Sequence, residues 1–143
     1  MKRLLVIEDG DEYTSFVEAL LADDVLADTA PTGEEALAKA AAAAVLLVDL
    51  RFDRVAGPAL LGELGDVAQG LFGGDRARAA RHLQDQQGLY ILRALRERGH
   101  RQRAIFVHDF SPRRLANLRA MYGDVEAVPG FDAAAIRALL VCA

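Results

Sequence analysis

Short apolar runs recur along the chain, each followed by a polar break and then by a stretch with helical spacing. The first, Arg3 to Ile7, stops at Glu8-Asp9-Gly10-Asp11-Glu12. A buried strand, an acidic loop and a helix from about Asp11 to Ala22 are expected. Phe16, Val17, Leu20 and Leu21 give that helix an apolar stripe. Val25 to Ala30 is a second strand, partly polar and therefore nearer an edge. Thr32-Gly33-Glu34-Glu35 matches a capping box that opens a slim, alanine-rich helix from Gly33 to about Ala42. Val45-Leu46-Leu47-Val48 then forms a run without alternation, the pattern of a strand covered on both faces, and it ends on a carboxylate, Asp49.

Residues 52–87 break the rhythm. Glycines at 57, 62, 65, 70, 73 and 74 punctuate Leu60, Leu61, Leu64, Val67, Leu71 and Phe72. Asp75 caps a helix that ends near Gln87-Gly88, and a further helix runs from Leu89 to about Arg98 with Leu89, Leu92 and Leu95 on one face. Ala104 to Val107 is the fourth strand, ending at His108-Asp109. Ser111-Pro112 places a capping hydroxyl and an N1 proline at the start of a helix to about Met121. Val125 to Val128 is the fifth strand, followed by Pro129-Gly130, and Asp132 caps a last helix carrying Ile136, Leu139 and Leu140. Five strands alternating with helices imply an α/β fold with a doubly wound parallel sheet. Right-handed crossovers favour the flavodoxin-like order 2-1-3-4-5, with an insertion after strand 3. One domain over 1–143 is expected, with the insertion at about 52–87.

Composition narrows the classes. With 143 residues, 52% hydrophobic and 27% charged, the chain can bury a core and is expected to be globular. No apolar run is long enough to cross a bilayer, and no cleavage-site pattern follows the basic start, so a cytoplasmic protein without membrane contact is expected. The single cysteine, Cys142, excludes an internal disulfide. A net charge of −4 argues against nucleic acid as a partner. Lys2 and Lys39 are the only lysines; the remaining basic residues are arginines.

In the expected order, strands 1 and 3 are neighbours, so Glu8, Asp9 and Asp49 converge at the carboxyl rim where such sheets bind ligands. Three adjacent carboxylates need a counter-charge, and a hard divalent cation such as Mg²⁺ meets that need. A carboxylate oxygen beside such a cation can attack phosphorus. An Asp at a strand end has a plainer role as a loop or helix cap.

These residues resemble the receiver domain of two-component response regulators. The matching pieces are Leu4 to Asp9, Val45 to Leu50, Gly88 to Arg96 and the spacing of the last two strands. The resemblance implies a phosphorelay signalling module, a phosphoprotein rather than a turnover enzyme. It makes Glu8 and Asp9 the acidic pair, Asp49 the phosphoacceptor and the Arg51 carbonyl a ligand of the Mg²⁺ cofactor. The implied partners are a histidine kinase or another signalling protein, and a second copy of the chain as a homodimer. With nothing after Ala143, output is expected to act through surface contacts. The departures fall on the switching half. His108 stands where the family has a Ser or Thr, Glu126 at the aromatic switch position, and Pro129 where the family has lysine. Asp53 stands in place of the proline after the acceptor.

Two other function classes compete. A phosphorylation-independent pseudo-receiver would act purely as a docking module. A phosphatase using Asp49 as nucleophile is disfavoured, because Asp49-Leu50-Arg51 lacks a second acid two residues on. His108 reads as a hydrogen-bonded core or rim histidine rather than a catalytic base. His82 and His100 read as solvated, and Arg76, Arg78 and Arg81 as a solvated face. No phosphate-binding or dinucleotide-binding glycine pattern is present. If Asp49 takes a phosphoryl group, a protonated His108 is the expected replacement for one lost contact. Residues 52–87 are expected to cover the site rim.

Overall fold

The computed structural model describes every residue from Met1 to Ala143 except Ala56, which lies within the expected insertion and outside the described residues. Five parallel strands, β1 (Lys2–Ile7), β2 (Val25–Ala30), β3 (Val45–Val48), β4 (Arg103–Val107) and β5 (Val125–Val128), form one sheet in the order β2-β1-β3-β4-β5. Among the described residues seven α-helices accompany it: α1 (Glu12–Leu20), α2 (Gly33–Lys39), α3 (Leu64–Phe72), α4 (Arg76–Asp85), α5 (Gln87–Glu97), α6 (Pro112–Tyr122) and α7 (Ala133–Val141). The expected fold class and strand order are those observed. Short 3₁₀ turns occupy Ala40–Ala42 and Gly57–Ala59.

The reason for the unbroken apolar run in β3 is visible in its position. It is the central strand, all four residues are buried, and its side chains divide between two cores. Val45 and Leu47 face the layer of α1 and α7, with Leu4, Val6, Tyr13, Phe16, Val17, Ile105 and Ile136. Leu46 and Val48 face the opposite layer, with Leu5, Ile7, Ile91, Leu92, Leu95 and Phe106. β2, at the edge, buries only its first and last residues, matching its polar sequence.

The caps follow the sequence closely. Thr32, Asp75, Ser111 and Asp132 each accept a hydrogen bond from a backbone N–H three residues on. The capping box at Thr32 is half formed, because Glu35 turns to Lys39, 3.9 Å away. Two expectations need correction. Leu20 is exposed rather than part of the apolar stripe, since α1 ends there and the buried residue is Leu21. Gln87-Gly88 does not end a helix but begins α5; the break lies one residue earlier at Gln86.

The insertion joins the same core as the sheet. Phe52, Leu60 and Leu83 are buried with the α5 layer, and Phe52 N–H donates to the Gln84 carbonyl at 2.8 Å. Gln87, 1% exposed, binds three backbone groups: its Oε1 accepts from Leu61 N–H, and its Nε2 lies 3.0 Å from the Leu61 carbonyl and 3.1 Å from the Leu83 carbonyl. Leu61 in turn fills the space beside Gly33, where a Cβ would overlap it. Helix α3 thus packs on α4, and α4 on α5. Among the described residues of the insertion, Asp53 and Arg54 line the cleft of Asp49, next to Arg51. The expectation of a cover over the site therefore holds for that short stretch alone.

Candidate functional site

Register sets the site. Ile7 pairs with Val48 across β1 and β3, so both strands end level, and Asp49 N–H donates to the Ile7 carbonyl at 2.9 Å. Alternation along β3 continues through Asp49, which falls on the α1 side with Val45 and Leu47. There it opens into a cleft of about 330 Å³ lined by Asp9, Glu12, Tyr13, Asp49, Arg51, Asp53, Arg54 and Phe131.

The two oxygens of Asp49 differ. Oδ1 accepts from Arg51 N–H at 3.3 Å and lies 3.4 Å from the Tyr13 hydroxyl. Oδ2 carries no hydrogen bond among the described residues, and none of those residues leaves a fully buried side-chain oxygen unpartnered, so Oδ2 meets the cleft. Burial, with added repulsion from Asp9 and Glu8 and a partial offset from Arg51 N–H, pushes the Asp49 carboxyl up to about 6. The backbone is held close from behind: Gly88 N–H donates to the Leu50 carbonyl, and a Cβ at Gly88 would overlap the Asp49 carbonyl oxygen. The glycine is required by this approach of α5 to the end of β3.

The acidic pair separates into two roles. Glu8, 2% exposed, caps α1: Oε1 accepts from Tyr13 N–H at 3.0 Å, and Oε2 accepts from Thr14 N–H and the Thr14 hydroxyl, each at 2.7 Å. Asp11, the residue preceding the helix, makes no capping bond, so Glu8 supplies what the local sequence leaves open. Asp9 faces the cleft, where its Oδ2 accepts from Arg54 N–H at 2.7 Å. The Arg54 guanidinium pairs with Glu12 at 3.1 Å. Of the metal ligands implied by the resemblance, Asp9, Asp49 and Arg51 thus line the cleft, while both Glu8 oxygens are engaged elsewhere. Among the described residues no cluster of three or more acidic, histidine or cysteine side chains is arranged to hold a metal ion. The oxygen donors of Asp9, Asp49 and the Arg51 carbonyl are nonetheless of the hard type that Mg²⁺ takes.

The positions that the resemblance assigns to switching hold other chemistry. His108, just past β4, packs against Phe110 at 4.6 Å between ring centroids. Burial and the nearby Arg114 push its pKa down, with Asp109 opposing. In the unmodified site the imidazole is therefore held toward its neutral form. Glu126 on β5 accepts from Arg119 at 2.7 Å. After Pro129-Gly130 comes Phe131, whose ring lines the cleft and packs edge-on against Tyr13 at 5.0 Å. Tyr13, Arg54 and Phe131 were not identified as site residues from sequence. Tyr13 reads locally as a core position of α1, and nothing in the chain links it to Asp49.

No family model matches this sequence, and no curated protein matches it. Solved structures do. The chemotaxis protein CheY4 of Vibrio cholerae is similar with a TM-score of 0.64 and 18% identity, over 99% of this chain and 98% of that one. The response regulator protein TrrA of Thermotoga maritima, solved in complex with Mg²⁺-BeF, gives 0.61 and 18% over 99% and 98%. The receiver domain of the Francisella response regulator 1452 gives 0.62 and 14% over 99% and 95%. Identities this low speak for architecture, and they agree with the strand order: the chain has the fold of response-regulator receiver domains.

Proposed function

We propose that the chain is a receiver-type signalling module in a phosphorelay, with Asp49 as the phosphoacceptor. The observation that carries this reading is the pair of inequivalent Asp49 oxygens, one held by Arg51 N–H and one open to a cleft shared with Asp9. In the reaction, Oδ2 forms a bond to phosphorus and the phosphorus–nitrogen bond of a phosphohistidine breaks. The released imidazole nitrogen takes a proton from solvent. Asp9, Asp49 and the Arg51 carbonyl would hold Mg²⁺, which when bound offsets the charge of the incoming phosphoryl group. Arg51 N–H keeps Oδ1 fixed, so the free oxygen presents its lone pairs to the cleft. A histidine kinase, or another phosphohistidine protein, is the partner this chemistry requires. The test is amide NMR during titration with Mg²⁺ and beryllofluoride. Shifts at Asp49 to Arg51 that need both components support the reading, and an unchanged spectrum refutes it.

A second reading is favoured by one observation, the commitment of Glu8 to the α1 cap. If the remaining oxygens bind Mg²⁺ too weakly, the chain acts as a docking module whose state is set by a partner protein. The same titration separates the two, because the docking module gives no beryllofluoride response.

A further inference from the structure

Tyr13 plays no part in the transfer described above, yet it touches the acceptor directly. Its ring is buried in the α1 layer of the core, on the side of the sheet to which Asp49 points. Its hydroxyl lies 3.4 Å from Asp49 Oδ1 and 3.3 Å from the carbonyl of Val107, the last residue of β4. A phenol has one proton to donate, and both distances exceed the usual O–H···O range of about 2.5–3.0 Å. The hydroxyl is thus placed between two acceptors without settling closely on either. The same ring packs edge-on against Phe131, which also lies 4.9 Å from Phe16 and is 45% exposed just past the β5 exit. One side chain therefore joins Asp49, the end of β4 and an exposed aromatic at the end of β5.

The positions that would otherwise sense Asp49 are silent. His108 has no hydroxyl and packs on Phe110, and Pro129 offers neither a charge nor an N–H. Thr14, the adjacent hydroxyl on α1, is committed to Glu8. The geometry points to Tyr13 as the residue that reads the state of Asp49 and displays it through Phe131 on the α1–α7 side of the molecule. This inference deepens the phosphoacceptor reading and rests on it. A phosphoryl group in the cleft that Tyr13 and Phe131 both line offers anionic oxygens. These are stronger acceptors than the neutral Val107 carbonyl, and they draw the phenol proton away from β4. That differential hydrogen bonding is the lever that shifts the ring, and Phe131 follows because it packs on it.

The test uses the Tyr13→Phe variant, which keeps the ring and removes the hydroxyl. In the wild type, Mg²⁺ with beryllofluoride shifts the amides of Val107, His108 and Phe131 as well as those of Asp49 to Arg51. In Tyr13→Phe the shifts at Asp49 to Arg51 remain, and those at Val107 and Phe131 are lost. Shifts at Phe131 that persist in Tyr13→Phe overturn the inference. A wild type in which Asp49 to Arg51 do not respond overturns the phosphoacceptor reading instead. The relay is then decided by Asp49→Ala in metal-free buffer. A change at Phe131 that appears in the wild-type background and disappears with Tyr13→Phe supports it, and equal changes in both backgrounds overturn it.

Discussion

Replacing Asp49 with Asn makes the protein more stable at neutral pH in the absence of metal. The carboxyl of Asp49 is raised from 3.8 to about 6 by burial and by Asp9 and Glu8, so its charged form is held against its preference. A folded-state pKa above the unfolded value contributes stability that is present below about pH 4 and lost as pH rises through about 6. Each pK unit corresponds to about 1.4 kcal/mol, which would give about 3 kcal/mol; partial exposure of Asp49 reduces this to about 1–2 kcal/mol. Asparagine does not titrate, and its Oδ1 can still accept from Arg51 N–H and the Tyr13 hydroxyl. The variant should therefore match the wild type near pH 4 and exceed it by about 1–2 kcal/mol at pH 8. Urea denaturation in EDTA across that range measures the difference, and added Mg²⁺ should narrow it by stabilising the wild type alone. A variant that is less stable at pH 8, or a difference that does not change with pH, would refute the reasoning.

Gly88→Ala should cost about 1–3 kcal/mol in urea denaturation, because the new Cβ meets the backbone of Asp49 and cannot be relieved by a side-chain rotation. Gln87→Ala leaves the backbone groups of Leu61 and Leu83 without their partner; a loss of about 1–3 kcal/mol and faster proteolysis near Leu61 are expected. Glu8→Gln should weaken the α1 cap by about 1 kcal/mol while leaving Mg²⁺ binding by calorimetry close to wild type. If Mg²⁺ binding is lost as fully as in Asp9→Asn, Glu8 is a ligand and not only a cap.

The order of elements was legible because each has its own local cause. The four-residue run of β3 is covered on both faces, the polar interior of β2 lies at an edge, and three of the helix starts carry Ser or Asp caps that bond as their spacing implies. Asp49 was legible for the same reason, as the carboxylate that ends the central strand. The helix α3 was not, since Gly65 and Gly70 lower its propensity; packing against α4 supplies what the sequence withholds, and Gly73, at φ 58°, ends it. The division of the acidic pair was hidden too. Whether Glu8 turns to the helix or to the cleft depends on Tyr13 N–H and Thr14 N–H having no other acceptor, which follows from the idle Asp11. Tyr13, Arg54 and Phe131 reach the site from three separate segments, and only the folded chain brings them together.

The phosphoacceptor assignment is tested most directly by intact-protein mass spectrometry after incubation with a small phosphoramidate donor and Mg²⁺. The wild type should gain the mass of one phosphoryl group, lose it on treatment with hydroxylamine as an acyl phosphate does, and fail to gain it in EDTA. Asp49→Asn should remain unmodified throughout. An unmodified wild type in the presence of Mg²⁺, or equal labelling of Asp49→Asn, would contradict the account.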